Sequence, residues 1–89
     1  MVRLTVISQS PEEARLKIEG WVSGADVGLL EAEGTRLLGE SQRLILDLSG
    51  VPFMDREGLS LLERWAGERL RLCGASTFLH TLLEQHELV

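Results

Sequence analysis

The feature that most constrains this chain is Leu44-Ile45-Leu46-Asp47-Leu48, an almost unbroken aliphatic run set between Arg43 and Ser49-Gly50. A run so short and so apolar suits a strand inside a sheet that helices cover on at least one face. With 89 residues in all, the chain has length for one core, so every other element must pack on or beside that strand. The expectation is one domain spanning residues 1–89.

Upstream, Val2-Arg3-Leu4-Thr5-Val6-Ile7 alternates and is rich in β-branched residues, which reads as a strand. Ser10-Pro11-Glu12-Glu13 interrupts it with turn chemistry. Ala14, Leu16, Ile18 and Gly20 then share one face, opposite Arg15, Lys17 and Glu19. This period of two predicts a half-buried strand, hairpin-paired to the first, with Trp21 and Val22 as its continuation. Ser23-Gly24-Ala25-Asp26 offers a helix start, with Asp26 or Ser23 as the N-cap. Val27, Leu30, Gly34, Leu37 and Leu38 recur at spacings of three and four, an amphipathic helix of about four turns.

Downstream, Val51-Pro52-Phe53-Met54 reads as a short apolar loop. Asp55 then caps a second helix that extends to about Cys73 and is closed by Gly74. Its stripe Leu59, Leu62, Ala66, Leu70 and Cys73 faces the sheet. Leu61, Trp65 and Leu72 fall on a neighbouring stripe, which is either buried under another helix or exposed as an interface anchor. Past Gly74, Ala75-Ser76-Thr77-Phe78-Leu79 reads either as a short last strand or as a loop into a helix carrying Leu79, Leu82, Leu83 and Glu87. The fold class is α/β: a mixed four-stranded sheet, its last strand short or absent, with about three helices packed on it.

Several function classes fall away on chemistry. A formal net charge of −5 opposes binding to nucleic acid, which needs a basic surface for counterion release. It opposes electrostatic attachment to anionic lipid as well. No apolar run approaches the ~20 residues of a membrane span. Cys73 is the lone cysteine, so neither a disulfide framework nor a cysteine metal site is expected, and a reducing, cytoplasmic setting fits. His80 and His86 are six apart, which does not align two metal ligands on one helical face. Without a nucleophile–base pair or an acid pair, no catalytic residue, metal or cofactor is expected.

The stretch from Leu44 to Leu59 resembles the signature of the STAS family of anti-sigma-factor antagonists: an apolar strand ending in Asp47-Leu48-Ser49, an apolar turn, and a helix opened by Asp55-Arg56-Glu57-Gly58-Leu59. The family signature has Asp-Ser-Ser-Gly-Leu at that opening, and in phosphorylatable members the second Ser accepts phosphate from a partner kinase. Glu57 stands at that position here. A helix start favours an anion whatever its source, so Glu57 has two readings. It is ordinary first-turn chemistry, or a fixed negative charge that partly imitates phosphate.

The resemblance implies a regulatory module that binds protein rather than an enzyme. The partner would be a kinase-like anti-sigma factor or, in a second reading, the ATPase of an ABC-type lipid transporter. The expected contact surface is Met54, Asp55, Arg56, Glu57, Ser60, Leu61 and Arg64, with Trp65 at its edge. Were the final strand missing, the sheet edge left exposed would in addition favour a homodimer or strand exchange.

Overall fold

The computed structural model describes residues 1–89. Strands β1 (Arg3–Gln9) and β2 (Glu13–Glu19) lead into helix α1 (Ala25–Glu40), strand β3 (Arg43–Gly50), helix α2 (Arg56–Trp65), strand β4 (Leu70–Cys73) and helix α3 (Thr77–Gln85). The sheet runs β1-β2-β3-β4. β1 and β2 form an antiparallel hairpin, whereas β2–β3 and β3–β4 are parallel. Each parallel pair is joined by one helix, α1 or α2, because parallel neighbours need a crossover connection.

One face of the sheet makes the core. Ala14, Leu16, Ile18, Leu44, Leu46 and Leu48 are fully buried, and pairing in register aligns Leu16 with Leu46 and Leu46 with Leu72. Val27, Leu30 and Leu37 of α1, Leu59, Leu61 and Leu62 of α2, and Leu79 and Leu83 of α3 complete that core. The other face carries Arg15, Lys17, Glu19, Ile45, Asp47, Arg71 and Cys73, none of which is fully buried.

Three expectations are corrected. The second helix ends at Trp65, eight residues short of Cys73. Ala66 leaves the helix in an extended conformation, and Gly67 takes φ +136°, which favours glycine. Leu70 and Cys73 therefore belong to a strand and not to the sheet-facing stripe of the helix, and Leu72 has no place beside Leu61 and Trp65. The last strand is short, as expected, but it lies before Gly74. Ala75–Leu79 forms no strand; Ser76 caps α3 by accepting the Leu79 N–H at 3.2 Å.

The start of α1 also differs. Gly24, not Ser23 or Asp26, is the N-cap, and its backbone (φ +56°, ψ −128°) suits glycine alone. At the other end, α1 has no basic residue in its last turn. Arg69 supplies one from the loop before β4, donating to the carbonyls of Leu38 (2.5 Å), Ser41 (2.9 Å) and Gln42 (2.8 Å). A cation there satisfies orphan carbonyls and complements the negative end of the helix dipole.

Candidate partner-binding site

The turn between β3 and α2 is built around Asp55. Its N–H donates to the Val22 carbonyl at 3.0 Å, and its carbonyl accepts the Leu59 N–H at 3.0 Å. Its side chain divides between two helices: Oδ1 accepts the Gly58 N–H at 2.9 Å and Oδ2 accepts the Gly24 N–H at 3.2 Å. One carboxylate thus ties together the starts of α1 and α2, where both helix dipoles present their positive ends. Capping is the role expected of it, but the link to α1 crosses 31 residues and has no local signal.

Gly58 is as constrained as its partner. It is buried, and a methyl group there would sit 2.5 Å from Met54 Cγ and 3.1 Å from Val22 Cγ1. The bridge between Val22 and Met54 holds those two side chains over it. The Asp-to-Gly spacing at residues 55 and 58 therefore has a steric origin as well as a capping one.

Around this anchor lies an open depression lined by Gly24, Val27, Gly28 and Glu31 of the α1 side and Arg56, Glu57, Ser60 and Arg64 of α2. Arg56, Glu57, Ser60 and Arg64 are all exposed. Arg64 reaches across to Glu31, Nη1 to Oε2, at 3.0 Å. Four residues expected at the contact surface are thus gathered on one rim, with Asp55 half-buried beneath them.

The remaining three do not join them as surface groups. Met54 and Leu61 are buried in the core, because Met54 turns inward onto Gly58 and Leu61 lies on the sheet side of α2. Neither side chain can reach a partner. Trp65 is half-buried, its ring lying directly against the backbone of Gly34 in α1. It closes the α1–α2 packing and contributes only a margin.

Three features escaped sequence reasoning. Trp21 is 59% exposed, and its ring meets that of Phe53 at 5.3 Å and 50°. This pair lies at the same end of the sheet, since the Val22 N–H donates to the Phe53 carbonyl at 3.1 Å. Alternation had placed Trp21 as the continuation of a strand. Gly28 is the second: it sits inside α1, and a methyl group there would meet nothing within 4 Å. Glycine in a helix interior costs about 0.5–1 kcal/mol relative to alanine, and no packing within the chain explains it. Glu31 is the third; its ion pair with Arg64 depends on the α1–α2 crossing, which spacing alone does not define.

Farther along β3, Asp47 Oδ1 accepts the Ser49 N–H at 3.0 Å. Hydrogen bonding from the Ser49 backbone, then from its side chain, holds the Asp47 carboxyl below the usual range, assisted by the charges of Lys17 and Arg15. Gly74, at φ +76°, passes close to Asp47 Oδ1 and Ser49. Asp47 and Ser49 of β3 thus sit against the Gly74 turn by which the chain leaves β4.

A family model described as "Mlab, STAS domain" matches residues 5–88. The chain is a STAS domain. Among solved structures, the anti-sigma-factor antagonist SpoIIAA in its unphosphorylated form superposes with a TM-score of 0.70 at 19% identity, covering 92% of this chain and 82% of that one. The Bacillus cell fate determinant SpoIIAA in its phosphorylated form gives 0.68 at 20% identity, covering 99% and 85%. An antisigma-factor antagonist STAS domain from Rhodobacter sphaeroides gives 0.61 at 22%, covering 82% and 86%. No curated protein sequence matches the chain. At these identities the solved structures bear on the fold of this STAS domain, a mixed four-stranded sheet with three helices.

Proposed function

We propose that this STAS domain is a non-catalytic regulatory module that binds a protein partner through the depression between the starts of α1 and α2. The observation that carries this reading is the Asp55 bridge: it fixes Arg56, Glu57, Ser60 and Arg64 as an exposed rim on a rigid base. Exposed charged and polar side chains around a preorganised centre are interface chemistry. Gly28 adds a place where a partner group can approach helix backbone closely, and the exposed Trp21, packed against Phe53 at the same end of the sheet, adds an aromatic anchor.

Glu57 stands at the position where related switching domains carry the phosphate acceptor. A carboxylate has no hydroxyl to phosphorylate, so docking through this surface is constitutive at residue 57 and holds a single negative charge there. The partner on this reading is a kinase-like anti-sigma factor, in keeping with the anti-sigma-factor antagonists of the same fold. The match to the Mlab-type family favours a second reading, in which the partner is the ATPase of an ABC-type lipid transporter.

Affinity capture from native extract, with partners identified by mass spectrometry, tests the proposal. Wild type is run beside Arg56→Glu, Ser60→Arg, Trp21→Ala and Glu57→Ser. The expected result is one dominant partner, retained by wild type and lost with Arg56→Glu and Ser60→Arg. A kinase-like protein supports the first reading and a transporter ATPase the second. A partner captured equally by all variants would remove the depression from the interface.

A further inference from the structure

The two edges of the sheet are unlike. β4 is four residues long and carries Arg71, and Leu70, Arg71 and Leu72 share a depression with the C-terminal residues Glu87, Leu88 and Val89. β1 has seven residues, pairs on one side only, and carries a single charge, at Arg3. It has neither a proline nor a lysine to block further pairing. Val6 is 38% exposed and Ile7 52%. Beside this edge, Val2 and Leu4 line an open groove with Leu29, Ala32, Glu33 and Arg36 of α1, and Leu29 is 57% exposed. An open strand edge next to uncovered aliphatic side chains is a pairing surface.

We propose that β1 pairs antiparallel with β1 of a second copy of this chain, about a two-fold axis at Thr5, giving a continuous eight-stranded sheet. The register follows from which face each residue occupies. Leu4 and Val6 lie opposite Ile18 and Leu16 and so belong to the helix side, whereas Arg3 and Thr5 lie opposite Glu19 and Lys17 on the other face. Cross-strand neighbours must share a face. Centring on Thr5 sets Leu4 against Val6 of the second copy twice over and Thr5 against Thr5, with the two Leu29 side chains flanking the apolar pairs. The same arrangement keeps the two Arg3 side chains at opposite ends of the paired segment, where parallel pairing would set them together. The irregularity between Val6 and Ser8 ends the regular ladder at Ile7, so longer registers are disfavoured.

The strip is small: the paired segment from Arg3 to Ile7, ~17 Å long, and a width of ~15 Å to include α1 give roughly 255 Å² per copy, below the ~800 Å² of a standard interface. The dimer is therefore weak and concentration-dependent. Sedimentation of the full chain from about 5 to 500 µM tests it, alongside a Val6→Lys variant and a disulfide-trapping pair in a Cys73→Ser background. The expected result is a mass rising from 9.9 kDa towards twice that value, a midpoint shifted at least tenfold upward in Val6→Lys, and rapid oxidation of Thr5→Cys to a covalent dimer. Arg71→Cys on the β4 edge should stay monomeric. A constant monomer mass over the range overturns the proposal. So does a dimer indifferent to Val6→Lys, or trapping at Arg71→Cys as fast as at Thr5→Cys. Trapping does not depend on the stability of Val6→Lys, so a folding defect in that variant leaves the test intact.

Discussion

Asp55 is the residue on which the site turns, because its two oxygens serve two helix starts. Removing an Asp cap ordinarily costs about 0.5–2 kcal/mol. Asp55→Ala should lie at the upper end of that range, measured by urea unfolding, because two backbone donors lose their partner at once. Asp55→Asn, which keeps one acceptor oxygen, should recover part of the loss. Capping was legible from the Asp-x-x-Gly spacing; the second hydrogen bond was not, because Gly24 approaches only when the chain has folded. Asp47 makes a different prediction. Its carboxyl is held below the ordinary range by Ser49, so it contributes stability above about pH 4. That contribution disappears as pH falls through the lowered value. Asp47→Asn should therefore unfold along a flatter pH profile below pH 4 than wild type, read by circular dichroism.

At the scale of elements, α1 and α2 meet where the Trp65 ring covers Gly34. Helix propensity alone would make Gly34→Ala stabilising by up to ~1 kcal/mol. The ring leaves no room for the methyl group, so the substitution should instead destabilise, by about 1–3 kcal/mol as overpacking does. Adding Trp65→Leu should return part of that loss, and a double-mutant cycle measures the coupling. Arg69→Ala should cost roughly 1–2 kcal/mol, since three carbonyls at the end of α1 lose a charged donor.

The strands and helices before Asp55 were legible because their periodicity is strong: alternation through Ile18, and spacings of three and four through Leu38. The stretch after Trp65 was misread because Leu70 and Cys73 continue a helical spacing by coincidence. The better signals were local, namely Gly67 as a break and the alternation of Arg69, Leu70, Arg71 and Leu72. Met54 and Leu61 were misplaced for a related reason. Their spacing identifies apolar positions near the turn, but only the crossing of α1, α2 and the sheet determines which of them face inward.

For the molecule as a whole, one layer of helices on one face of a sheet makes a single core, and unfolding should be one cooperative transition. A domain of this size holds about 4–13 kcal/mol of stability. Leu46 lies fully buried in β3, between β2 and β4. Leu46→Ala should cost about 2–5 kcal/mol, a large share of that total, and guanidinium unfolding would measure it as a lowered midpoint. The charge is divided between the two sides. Arg3, Arg15, Lys17, Arg43 and Arg71 share the uncovered sheet face with Glu13, Glu19 and Asp47, so the excess of acid lies on the helix side. Net charge was legible in the sequence; its polarity was not, because it depends on strand register.

The bridge at Asp55 also bears on how such a domain can change over generations. The carboxylate, Gly24 and Gly58 form a scaffold in which each member needs the others, so drift at any of them is penalised through folding. Arg56, Glu57 and Ser60 stand on that scaffold without holding it up, whereas Arg64 ties α2 to Glu31 of α1. On the docking surface proposed above, a lineage can therefore rewrite its choice of partner at Arg56, Glu57 and Ser60 while inheriting the fold unchanged.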